Sequence, residues 1–163
     1  MARHVSRRKG TWVLLVLTLV LVGCDHATKL VATGLDRTLG VVPGVLDLTY
    51  TQNHDTAFSL LHGVAVPGKT WVILAAQVVG AIAVAWVWWR RRRLASTLEH
   101  VGWSLVFAGA LGNAIDRVAR GYVVDFIHLH HWPVFNVADV VIVLGLVAVL
   151  GATRGRLRSV MPF

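Results

Sequence analysis

The chain has 163 residues, of which 56% are hydrophobic, seven are tryptophan and only 15% are charged. Four long apolar runs in so short a sequence exclude a water-soluble domain and specify an integral membrane protein. The net charge of +8 does not indicate nucleic acid, because the basic residues stand at the ends of the apolar runs rather than along one face.

The first apolar run follows Arg7-Arg8-Lys9 and predicts a helix over about Thr11 to Ala32. Within it, Leu21-Val22-Gly23-Cys24 resembles a lipid-accepting signal sequence. Cleavage there would leave three hydrophobic helices, unlike a soluble cargo tethered by lipid, so the helix is read as retained. Cys24, the single cysteine, is then a small buried apolar residue. The connection over Thr33 to Gly68 contains Val45-Leu46-Asp47-Leu48-Thr49-Tyr50-Thr51, a β-prone run after Pro43-Gly44 that predicts a small sheet or hairpin. A second helix is expected over Lys69 to Trp89, and a short arginine-rich turn leads to a third over Thr97 to Asp116. Gly102, Gly109 and Gly112 on that helix read as positions of close helix packing. A longer connection, Arg117 to Phe135, precedes a fourth helix over Asn136 to Thr153. The fold class is thus an α-helical integral membrane protein, four transmembrane helices with a small outer β element, forming a single membrane domain over 1–163.

Charge sets the expected orientation. With both termini and the second connection in the cytoplasm, Arg3, Arg7, Arg8, Lys9, Arg90, Arg91, Arg92, Arg93, Arg154, Arg156 and Arg158 lie inside, eleven of the sixteen cations. Of the acidic residues, Glu99 alone falls inside, whereas Asp25, Asp36, Asp47, Asp55, Asp116, Asp125 and Asp139 fall on the outer half.

Carboxylates at bilayer depth are costly to keep and mark candidate sites. Asp116 ends the third helix and Asp139 begins the fourth, so antiparallel packing brings them to one depth. A close carboxylate pair shares a proton, and such a pair can split an amide with water. Helix dipoles favour Asp139 as the anion and Asp116 as the acid, although Arg117 opposes that division. A purely structural reading makes Asn136 and Asp139 helix caps and pairs Asp116 with Arg117 or Arg120. The repeated spacing of an asparagine three residues before the aspartate, Asn113 and Asn136, favours orientation of both carboxylates instead.

In chain order, Asp25-His26-Ala27-Thr28-Lys29, Asn53 to Phe58, Gly112 to Arg117, Gly121-Tyr122-Val123-Val124-Asp125-Phe126-Ile127 and Phe135 to Asp139 resemble lipoprotein signal peptidase, the signal peptidase II family. The resemblance implies an aspartyl endopeptidase of the bacterial inner membrane that cleaves diacylglyceryl-modified prolipoproteins just before the lipidated cysteine. It implies Asp116 and Asp139 as the catalytic dyad, with Asp25, Lys29, Asn53, Asn113, Arg117 and Asn136 at substrate-binding and supporting positions. It also implies no cofactor and no metal, and globomycin-like inhibitors. The expected partners are prolipoprotein substrates and membrane lipids, with no nucleic acid and a monomeric chain.

Asp55 and Ser59 stand where the family commonly has glycine, and a specialised paralogue with altered specificity is the alternative reading. Asp55 is expected to take a left-handed turn. Two rival readings come from other classes. Asp125, His54, His62, His128, His130 and His131 suggest a metal-handling membrane protein. A partner-binding membrane protein would use the outer connections as an interaction surface.

Overall fold

The computed structural model describes residues 2–55 and 68–160. Its elements in chain order are α1 (Ala2–Ala32), β1 (Leu39–Val42), β2 (Leu46–Asn53), α2 (Lys69–Arg91), α3 (Thr97–Arg120), β3 (Val123–Leu129) and α4 (Val137–Val160). The four expected helices are present, but each extends beyond the apolar run that signalled it. α1 begins nine residues earlier, α2 ends two later, α3 ends four later and α4 ends seven later, because helical hydrogen bonding continues into the flanking polar residues.

Three helices contain stretches long and apolar enough to cross a membrane: Trp12–Ala32, Thr70–Arg91 and Val137–Gly155. Large side chains such as Trp12, Val31, Trp71, Val79, Trp86 and Val147 stand exposed on them, as a lipid-facing surface requires. At one end of α2, the Arg92 guanidinium lies 3.6 Å from the Trp89 ring centroid and that of Arg90 5.2 Å from Trp86. Cys24 is exposed on α1 rather than buried as expected; its neighbour in sequence, Asp25, takes the inward face.

α3 is not among the three apolar spans. It packs against α1, α2 and α4 and buries Glu99, Trp103, Ser104, Asn113, Asp116 and Arg117. A helix covered by protein neighbours does not need an apolar surface all round. Its ends are defined by side-chain chemistry. Ser96 Oγ accepts a hydrogen bond from the Glu99 backbone N–H at 3.2 Å, and Gly121, at φ 80, donates its N–H to Arg117 O.

Contact between α3 and α4 depends on the absence of side chains. A Cβ at Gly102 would meet Gly145 O at 2.8 Å, one at Gly145 would meet Gly102 O at 2.7 Å, and one at Gly109 would run into the Ala138 carbonyl oxygen. Helices in lipid associate through packing rather than through exclusion of water, so these close approaches hold α3 and α4 together.

The outer connections form one antiparallel sheet in the order β1-β2-β3. Pro43 and Gly44 make the β1–β2 turn, with Gly44 at φ 71 and Val45 N–H bonded to Val42 O. β3 was expected as loop, but Val123-Val124-Asp125-Phe126-Ile127 is a β-branched and aromatic run with partners on β2 from Asn53↔Val123 to Leu46↔Leu129. Val124 and Phe126 pack on Ala32 at the end of α1, with Tyr50, Tyr122 and Val137 around them. This small core seats the sheet on the helix ends and sets β3 beside the start of α4.

Candidate active site

Two layers of polar residues meet where the sheet sits on the helices. The inner layer centres on Lys29, which is fully buried. Its ammonium lies 2.8 Å from Asp25 Oδ2, 3.0 Å from Asp116 Oδ2 and 3.0 Å from Asn113 Oδ1, three acceptors for its three protons. Asp25 also accepts from the Ala138 backbone N–H, 2.9 Å away at the amino end of α4. A Cβ on Gly112 would come within 2.7 Å of the Asp25 carboxylate, so that glycine leaves room for the ion pair.

Asp116 belongs wholly to this inner layer. It is fully buried, and its second oxygen lies 3.0 Å from Arg120 Nη1, while Val124 N–H donates to the first at 3.3 Å. The expected pairing of Asp116 with Asp139 in one pocket is therefore not what the geometry supports. Asp116 faces Lys29 and Arg120 and does not line the cleft. Helical register turns Asp116, on α3, toward Lys29, whereas Asp139, in the first turn of α4, reaches the cleft wall.

The outer layer borders a cleft of about 350 Å³. Its polar wall comprises Asn53, Gln77, Asn113, Arg117, Asp125, Asn136 and Asp139, and its apolar wall includes Val72, Ile73, Ala76, Ala110 and Ile142. The two carboxylates of this wall are Asp125, from β3, and Asp139, from the first turn of α4. Asn136 links them. Its side-chain amide donates to Asp125 Oδ1 at 2.6 Å, and its backbone N–H donates to Asp139 Oδ2 at 3.3 Å. Asn53 donates to the other oxygen of Asp125 at 2.7 Å, and Asn113 donates to Asp139 Oδ1 at 2.8 Å.

Both asparagine orientations follow from their neighbours. Lys29 can only donate, so Asn113 presents its oxygen to Lys29 and its NH2 to Asp139. The Asp139 backbone N–H donates to Asn136 Oδ1 at 3.0 Å, which leaves the Asn136 NH2 for Asp125 and Asn113 Oδ1. The inner ion pairs thereby orient the outer carboxylates. Burial pushes the Asp125 carboxyl up to about 6; the hydrogen bond from Asn53 works against the rise and the charge of Asp139 adds to it.

Of the expected site residues, Asn53, Asn113, Arg117 and Asn136 line the cleft with Asp139, whereas Asp25 and Lys29 lie beneath it with Asp116. Arg117 Nη2 donates to Asp55 O at 2.7 Å, and Nη1 donates to Gln77 Oε1 at 3.1 Å, tying the backbone just past β2 to α2 and α3. Asp55 is buried, and its backbone N–H donates to Asn53 Oδ1 at 2.8 Å. It has no positive φ, so the expected left-handed turn is absent there. Ser59 and His62 lie outside the described residues. The expected histidine group does not form one cluster: Asp125 enters the cleft, the His54 ring packs 5.3 Å from Tyr122, and His128 and His130 join Asp47 on the sheet. Sequence reasoning passed over two cleft residues, Asp125 as a site carboxylate and Gln77. The signal for Gln77 was available, since it is the one amide within the apolar α2.

The family model described as signal peptidase (SPase) II matches residues 17–153. The chain belongs to the signal peptidase II family. Among relatives, the lipoprotein signal peptidase of Gloeothece citriformis is 40% identical over 152 residues, covering 90% of this chain and 91% of that protein. That of Geobacter metallireducens is 38% identical over 141 residues, covering 80% of this chain and 83% of its own. Two solved bacterial membrane enzyme structures share the fold. One has a TM-score of 0.78 at 27% identity, covering 93% of each chain, and the other 0.74 at 29%, covering 86% of this chain and 92% of that one. The resemblance carried by the sequence motifs is thus borne out, and signal peptidase II membership makes the chain a peptidase.

Proposed function

We propose that this chain is an intramembrane aspartyl endopeptidase that removes the signal peptide from diacylglyceryl-modified prolipoproteins, cutting just before the lipidated cysteine, with Asp125 and Asp139 as its dyad. The observation that carries this reading is the pairing of these two carboxylates on one cleft wall through Asn136. The proposed dyad keeps Asp139 from the sequence expectation and replaces Asp116 with Asp125.

Each carboxylate sits where its role needs it. Asp139 lies in the first turn of α4, where the helix amino end favours an anion, and it takes a proton from the attacking water. Asp125, whose burial favours the protonated form, donates its proton to the scissile carbonyl oxygen. The water oxygen bonds to the carbonyl carbon. The proton held by Asp139 then passes to the leaving nitrogen as the C–N bond breaks, and collapse of the diol returns a proton to Asp125.

Asn53, Asn113 and Asn136 hold the carboxylates in place, and Arg117 anchors Asp55, just past β2, at the cleft. The apolar wall of Val72, Ile73, Ala76 and Ile142 suits the signal peptide or acyl chains entering from lipid. Globomycin-like cyclic peptides would occupy the same cleft. The charge distribution supports four spans, α3 included, in one membrane domain over 1–163, a monomer in the inner membrane with both termini cytoplasmic and the cleft facing outward. The chemistry needs neither a metal nor an organic cofactor.

Purified protein in detergent is expected to cleave a diacylglyceryl-modified prolipoprotein and to leave the same unlipidated precursor intact, with EDTA without effect. Equal cleavage of both precursors, or activity lost to EDTA, would overturn the reading.

A further inference from the structure

We propose a second site, separate from the cleft: Asp47, His128 and His130 bind one divalent transition-metal ion of the zinc type on the outer sheet. The three side chains each offer one ligand atom, and these atoms lie within 4.8 Å of one another.

The strand geometry explains the convergence. Asp47 on β2 is the direct cross-strand partner of His128 on β3, so both side chains leave the same face. His130 follows two residues later, on the same face by the strand period, and its N–H is bonded to Val45 O. The two imidazoles stack with centroids 5.5 Å apart. His130 Nε2 lies 2.9 Å and His128 Nδ1 3.7 Å from Asp47 Oδ2. Those separations bracket the ligand–ligand edge of about 3.3 Å in a tetrahedral zinc site, so small side-chain rotations admit the ion.

Imidazole with carboxylate suits zinc, copper or nickel and not magnesium, and three protein ligands leave a fourth position for water. The side chains are 36%, 38% and 19% exposed for His128, His130 and Asp47, which leaves a path to solvent. Bound metal would cross-link β2 to β3, the strands that supply Asn53 and Asp125 to the cleft. The site does not depend on the peptidase reading, because binding is measured directly.

The test is calorimetric titration of full-length, tag-free protein in detergent with zinc chloride. One zinc per chain with micromolar or tighter affinity is expected, unaffected by millimolar magnesium. His128→Ala and His130→Ala should each weaken binding at least tenfold, while prolipoprotein cleavage continues. X-ray absorption of the wild-type zinc complex gives a second readout that needs no variant, and should show two imidazoles with oxygen ligands. Absence of saturable zinc binding, affinity unchanged in the double variant, or a sulfur ligand in the absorption spectrum would overturn the proposal.

Discussion

At the residue scale, the two aspartates that sequence spacing paired occupy separate places, Asp116 among the ion pairs and Asp139 on the cleft wall. Asp116 is buried between Lys29 and Arg120, so Asp116→Asn breaks a buried ion pair; a loss of about 3–5 kcal/mol is expected, read as a lower thermal midpoint and folded yield. Asp125 presents the opposite case. Its carboxyl titrates near 6 in the folded chain against 3.8 for an ordinary aspartate, so folding takes up a proton between those values. That difference destabilises the fold increasingly as pH rises from 3.8, and the full cost is reached above about 6. Asp125→Asn removes the titration. Relative to wild type it should gain about 1 kcal/mol of stability on going from pH 5 to pH 7.5, measured by thermal unfolding at both pH values. A stabilising substitution that abolishes activity is the signature of a functional carboxylate. Asp139 reaches the cleft because it begins a helix whose apolar run is unmistakable in the sequence. The separation of Asp116 from the cleft was not legible, because helical register, which turns it toward Lys29, cannot be read from depth alone.

At the element scale, the apolar runs made all four helices legible, and their ends extended where polar residues continued the hydrogen bonding. β3 was not legible as a strand, although Val123 to Ile127 has the β-branched and aromatic content of one; its partner β2 is distant in sequence, with Asn53 opposite Val123 and Thr51 opposite Asp125. The close-packing role expected of Gly102, Gly109 and Gly112 agrees with the structure, where α4 backbone or the Asp25 carboxylate occupies the space beside each. Gly109 faces Ala138, the residue before Asp139. Gly109→Ala should therefore lower stability by about 1–3 kcal/mol and displace the dyad. Since small misplacements cost large factors in rate, cleavage by folded Gly109→Ala protein should fall by about tenfold or more, measured per mole of folded protein.

At the scale of the whole molecule, a buried layer of ion pairs supports a cleft-lining layer of carboxylates at the end of a helical bundle, beneath a small sheet. Topology is read from charge, with the Arg90 to Arg93 cluster on the side away from the sheet. In a Cys24→Ser background, a cysteine at Asp36 should react with an impermeant reagent in intact cells, and one at Arg92 should react only after lysis; the reverse pattern would invert the assigned orientation. The most direct test of the central claim compares cleavage of a diacylglyceryl-modified prolipoprotein by wild type, Asp125→Asn, Asp139→Asn and Asp116→Asn, each normalised to folded protein. The account predicts no cleavage by folded Asp125→Asn or Asp139→Asn, and residual cleavage by whatever Asp116→Asn protein folds. Wild-type cleavage by Asp125→Asn, with none by folded Asp116→Asn, would contradict it.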